Sequence, residues 1–119
     1  TDLRLFTRDG RIEKTVGLNS DISITYKNTF ISLTNPDLRQ SPLEIELIKE
    51  EPITFNYLGE DIEATYKAFR YNVPGIGWEQ TVEVISKDNL PLRTIQQINP
   101  LMPKTKIDFY FKFTQKKEA

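Results

Sequence analysis

Apolar and polar residues alternate with period two along most of this chain. That is the signature of strands, whose side chains point to opposite faces in turn. The pattern is clearest near the C-terminus, where Ile107, Phe109, Phe111 and Phe113 alternate with Lys106, Asp108, Tyr110 and Lys112. On a helix these residues would scatter around the cylinder. Ile22, Ile24 and Tyr26 alternate with Ser23 and Thr25, and Leu43, Ile45 and Leu47 with Glu44 and Glu46. Ile53, Phe55 and Tyr57 alternate with Thr54 and Asn56, and Ile62, Ala64, Tyr66 and Ala68 with Glu63, Thr65 and Lys67. Ser41 and Pro42 offer a helix start. The alternation that follows them predicts a strand over 41–51 instead.

Turn chemistry falls between these runs. Asp9-Gly10, Leu58-Gly59-Glu60-Asp61 and Lys87-Asp88-Asn89 read as tight hairpin turns, the first most strongly because glycine accepts positive φ. Lys27-Asn28-Thr29 separates Tyr26 from Phe30, while Asn35-Pro36-Asp37 and Asn72-Val73-Pro74-Gly75 read as longer loops. In the hairpin from Trp78 to Ile98, Trp78, Val82 and Val84 share a face. Leu92, Thr94, Gln96 and Ile98 share another that is less apolar, so the register there is open. Together these signals predict an all-β fold in one domain over residues 1–119. Its form would be a single curved antiparallel sheet, or a half-barrel or barrel of meandering hairpins, with about nine or ten strands.

Composition narrows the chemistry. The chain has 119 residues, 38% of them apolar, and a net charge of −1 with both signs interspersed. That balance exerts no long-range pull on nucleic acid or an anionic membrane. There is no cysteine and no histidine. Disulfides, thiolate or imidazole metal sites and histidine-based nucleophilic triads are therefore excluded. No apolar run approaches the roughly 20 residues that span a bilayer as a helix. Thr1 reads as a processed start or one set by how the chain was cut.

The remaining motifs have bland readings. Glu60, Asp61 and Glu63 lack the ligand spacing of a calcium loop and suit a solvated turn. Glu44 and Glu46 point out of one strand face together, as charges on a wet face do. Gly75-Ile76-Gly77 lacks the later glycine and lysine of a phosphate loop. No cofactor is implied. The interleaved aromatics and lysines from Phe109 to Lys117 have the composition that stacks single-stranded nucleic acid. The overall charge and the need of such a strand for a core weigh against that use.

Bulky aromatics mostly sit at one parity of their strands. Phe55, Tyr57, Tyr66, Trp78, Phe109, Phe111 and Phe113 are the candidate ligand-binding residues, with Phe30 at the same parity. Such a row either fills a core or lines a cavity for an apolar ligand. The pattern alone leaves the two open.

From Ile53 to Ile98 the order of features resembles the lipoprotein-carrier-like superfamily of bacterial envelope proteins. The residues that carry the resemblance are the Tyr57-Leu58-Gly59-Glu60 turn, Trp78, and the run Ile85-Ser86-Lys87-Asp88-Asn89-Leu90-Pro91-Leu92-Arg93. It implies an open, strongly bent antiparallel sheet whose concave face holds acyl chains or a partner's hydrophobic segment, in the periplasm or cell envelope. The chain departs from the carriers in lacking a long N-terminal helix pattern, and no arginine matches their lipid-gating position.

The expectation is a non-enzymatic envelope domain that binds a lipid, an acyl chain or a hydrophobic peptide on an aromatic-lined concave face. The alternative is a protein-interaction or assembly module acting through an exposed sheet edge, with the long strand Ile62–Tyr71 as the candidate for strand addition, or by self-association. A carboxylate hydrolase is the remaining, least favoured class.

Overall fold

Three two-residue turns set the hairpins of the computed structural model, which describes residues 3–35 and 37–110. Asp9 and Gly10 take φ of 52° and 81°, Leu58 and Gly59 take 52° and 88°, and Asp88 and Asn89 take 53° and 66°. Positive φ at both turn positions matches the right-handed twist of the flanking strands. These turns join β1 (Arg4–Arg8) to β2 (Arg11–Val16), β6 (Glu44–Tyr57) to β7 (Glu60–Val73), and β8 (Trp78–Lys87) to β9 (Leu90–Gln96). The other strands are β3 (Ile22–Thr25), β4 (Phe30–Thr34), β5 (Asp37–Pro42) and β10 (Thr105–Asp108).

The described residues are all-β, with ten antiparallel strands and no helix. The strands form two five-stranded sheets, β1-β2-β3-β4-β5 and β10-β9-β8-β7-β6. Each sheet is a simple meander. The chain leaves the first sheet and enters the second at Leu43, which is buried. The expected single sheet is thus divided in two. Pro42 still pairs with Phe30 and Leu43 N–H donates to Thr29 C=O at 2.9 Å, and from Glu44 the chain pairs with β7 instead. Residues 41–51 are extended, as the alternation requires.

The two sheets pack face to face. Ile12, Ile22, Ile24, Ile31 and Leu33 from the first meet Tyr71, Val73, Val82, Val84 and Ile98 from the second side. Each such aliphatic side chain contributes about 1.5–3 kcal/mol on burial. Polar side chains tie the layers as well. The Gln96 carboxamide accepts from Ile12 N–H at 2.9 Å and donates to Gly10 C=O at 3.0 Å. Asn99 donates to Ser20 C=O at 2.8 Å, and the Tyr26 hydroxyl donates to Ile12 C=O at 2.6 Å. Thr94 and Gln96 are both 0% exposed. The less apolar face of β9 is therefore the core face, with Gln96 satisfied across the interface and the Thr94 hydroxyl accepting from Gln96.

A β-bulge between Leu47 and Lys49 divides β6 into two halves. An extra residue in one strand reverses which face the following residues present. Ile45 and Leu47 pair with Tyr71 and Phe69 on the side facing the first sheet. Beyond the bulge, Ile53 and Phe55 pair with Ala64 and Ile62 on the opposite side. The two alternating runs of the sequence are one strand serving two faces.

Candidate functional site

The second sheet curls at the end remote from the sandwich. β6 and β10 are its two edges; the Ile62–Tyr71 stretch expected at an edge lies in β7, paired on both sides by β6 and β8. On a flat sheet four strand spacings of about 4.8 Å would separate them. Instead the Tyr57 hydroxyl donates to Phe109 C=O at 2.7 Å, and the Tyr57 and Tyr110 rings stack with centroids 6.4 Å apart. Phe109 N–H in turn bonds Leu92 C=O at 3.0 Å. The sheet does not close into a barrel. Side chains bridge its seam where a ladder would otherwise run.

Register assigns the residues of the concave side. Tyr66 stands opposite Ile85, Ile85 opposite Arg93, and Arg93 opposite Asp108. Arg93 reaches across to lie 5.1 Å from the Phe55 ring centroid and bonds Asp108 at 2.6 Å. Tyr66 donates to Glu83 at 2.7 Å, and Lys49 lies 5.9 Å from the Tyr66 ring. That bond to a carboxylate is the foremost reason the Tyr66 hydroxyl is pushed up to about 12. Ala64 and Ala68 are buried between these larger groups. The face is therefore aromatic and ion-paired together, not a purely apolar lining.

Of the seven aromatic candidates, Phe55, Tyr57 and Tyr66 share this face, and the Phe109 backbone joins its seam. Phe55 and Tyr66 are half-buried, and Tyr57 is 8% exposed. Trp78 does not join them. It pairs with Val73 on the side facing the first sheet, packs against the core, and donates to Gln97 at 2.9 Å. The seven-residue interval between Trp78 and Ile85 puts them on opposite faces of β8. Phe30 lies on the first sheet, 40% exposed. Phe111 and Phe113 lie outside the described residues. The row of one parity is thus several groups on different surfaces.

Two open grooves of about 900 and 810 Å³ lie on the first sheet and share Lys14 and Ser23; none of the seven aromatic candidates lines them. Hydroxyls and charges border them, among them Ser32, Thr34, Asp37 and Arg39. Among the described residues no group of three or more acidic, histidine or cysteine side chains is placed to hold a metal ion. None of their helices is long and apolar enough to cross a membrane.

A further surface feature escapes the aromatic count. β6 forms a 14-residue edge of the second sheet. Beside its bulge, Leu47 and Ile48 are 47% and 43% exposed. The sequence held a signal for this, because two adjacent apolar residues break the period-two pattern there. Glu44, Glu46, Glu50 and Glu51 surround them; Lys49 pairs with Glu51 at 3.6 Å and Arg70 of β7 with Glu46 at 3.3 Å. No protein-family model, curated protein or solved structure matches this chain.

Proposed function

We propose that this domain is a non-catalytic protein-interaction module that captures a basic, extended segment of a partner at the N-terminal half of β6. The observation that carries this reading is the exposed Leu47-Ile48 pair on an open sheet edge. An open edge presents unpaired N–H and C=O groups to an added strand. Glu46 pairs with Arg70 and Glu51 with Lys49, which leaves Glu44 and Glu50 without a cation among the described residues and the stretch net acidic; that favours a cationic occupant and disfavours a second copy of the same acidic strand. Pro52 lacks an N–H, which confines such pairing to the stretch before it.

The test is amide exchange of the domain with two synthetic peptides, one alternating valine and lysine, the other valine and glutamate. The reading expects protection confined to residues 44–51 with the lysine peptide alone. No protection, or equal protection by both peptides, overturns it.

The reading of an apolar ligand or acyl chain on the concave face keeps one specific support. Buried Ala64 gives that face a small-residue floor between Phe55 and Tyr66, and buried Ala68 continues it beyond Tyr66. The strong bend of the sheet is the part of the lipoprotein-carrier resemblance that suits it, and an envelope location belongs to that proposal. A fluorescent fatty acid would then bind saturably, and Phe55→Asp would abolish the signal. A linear, non-saturating signal, or one unchanged in Phe55→Asp, rejects this second reading.

A further inference from the structure

The first hairpin turn meets the β8–β9 hairpin beside a small cleft of about 240 Å³, lined by Asp9, Arg11, Lys67, Phe69, Ser86 and Asn89 among others. Arg11 lies there over two aromatic rings. Its guanidinium carbon lies 4.2 Å from the Phe69 ring centroid and 5.0 Å from that of Tyr26. One nitrogen donates to the Tyr71 hydroxyl at 3.1 Å. A guanidinium held over two rings and bonded to a hydroxyl is restricted in orientation, and its remaining N–H groups keep the planar fork that suits an oxyanion.

Neither Arg11 nor Lys67 forms an ion pair among the described residues. Both are half-buried. Asp9 is the one carboxylate in the wall, on an exposed turn, and it contacts neither cation closely enough to pair. Two partly desolvated cations sharing a concavity repel one another unless an anion joins them. Ser86 and Asn89 add neutral donors to the same wall. At a liquid-water share of about 30 Å³, the space would take roughly eight waters. That suits a small anion with part of its hydration shell and is less than a drug-sized ligand requires.

We propose that this inter-sheet cleft is a binding site for a small oxyanion, a phosphoryl or carboxylate group, held between Arg11 and Lys67. The site is separate from the β6 edge and from the concave aromatic face. It stands or falls independently of the function proposed for either.

Nuclear magnetic resonance titration of the whole chain, at ionic strength held constant with sodium chloride, tests it in two arms, inorganic phosphate and acetate. The expected result is saturable shifts of the Arg11 Nε–H and of the Ser86 and Asn89 amides. Lys67→Gln is expected to weaken binding about ten-fold or more, the worth of one charge-assisted bond. Saturation by phosphate alone assigns a phosphoryl group, and saturation by acetate assigns a carboxylate; either supports the site. Arg11→Lys keeps the charge but loses the planar fork, and is expected to weaken phosphate more than acetate. Linear drift in both arms overturns the proposal. So does an unchanged affinity in a Lys67→Gln protein whose spectrum shows it folded.

Discussion

The side chain of Gln96 and the backbone of Ile12, 84 residues apart in the chain, are joined by a 2.9 Å hydrogen bond inside the interface between the sheets. The same carboxamide also donates to Gly10 C=O and to the Thr94 hydroxyl, each at 3.0 Å. One buried amide thus anchors the first hairpin to the second sheet. Gln96→Ala would leave a buried N–H and a buried C=O without that partner. The expected cost is about 3 kcal/mol, since each orphaned group costs about 1–3 kcal/mol. Urea unfolding measures it, and a loss below about 1 kcal/mol would show that the clamp is dispensable.

Gly10 is expected to be more sensitive than Gly59, although both have positive φ. A Cβ on Gly10 would stand 2.6 Å from the Pro91 Cβ and 2.9 Å from the Thr94 Cγ2, whereas one on Gly59 meets nothing within 4 Å. Both alanine variants carry the backbone strain of about 1–2 kcal/mol. Gly10→Ala adds an overpacking cost of about 1–3 kcal/mol. Equal melting temperatures for the two variants would contradict the close packing of the turn on Pro91.

Acid stability should depend on Asp21. Its carboxylate accepts from Leu18 N–H at 2.8 Å, Gly17 N–H at 3.2 Å and the Thr15 hydroxyl at 3.3 Å. The Leu18 bond leads in holding the carboxyl below its ordinary value of 3.8, although partial desolvation opposes it. A folded pKa below the unfolded one means stability that is fully present above the unfolded value and lost as pH falls through the folded value. The stability gap between the parent and Asp21→Asn should therefore narrow below about pH 4. A gap that stays constant from about pH 2 to pH 7 would remove Asp21 from the acid transition.

Tyr66 tests the concave face at the alkaline end. Its hydroxyl donates to Glu83 and is pushed up to about 12. Here the folded value is above the unfolded one, so the contribution is present below about pH 10 and lost as pH rises toward the folded value. Glu83→Gln should lower the Tyr66 midpoint, read from its ring carbon shift. A midpoint unmoved by that substitution would mean that Glu83 is not the cause.

Leu47 separates surface from support. At 47% exposed, its change to glutamine should alter stability by less than about 0.5 kcal/mol. The same change should weaken capture of the lysine-bearing peptide at β6. A large loss of stability would mean that Leu47 packs into the fold, not that it waits for a partner.

Local rules reached far in this chain. Asp9-Gly10 and Asp88-Asn89 were readable as turns because Asp, Asn and Gly tolerate positive φ whatever lies around them; at Leu58-Gly59 the glycine carried the signal, and Leu58 itself is drawn to a φ of 52° by the hairpin. The strand character of 41–51 was readable because alternation is a property of neighbours. β5 escaped notice, since its stretch Asp37–Pro42 is mostly polar and its burial rests chiefly on Ser41. The grouping of the aromatics failed at Trp78 because parity within one strand does not say which face another strand shares with it.

The all-β class, the hairpin meander and the positions of its tight turns follow from side-chain period and backbone freedom over a few residues, so they were legible along the chain. Tertiary structure alone decided that the meander breaks into two sheets at Leu43, that the bulge at Leu47 turns one strand to two faces, and that Gln96 belongs in the core. Those outcomes depend on the partner each group meets across the interface. For Gln96 the partners are Gly10 and Ile12, and no local pattern records a neighbour so distant along the chain.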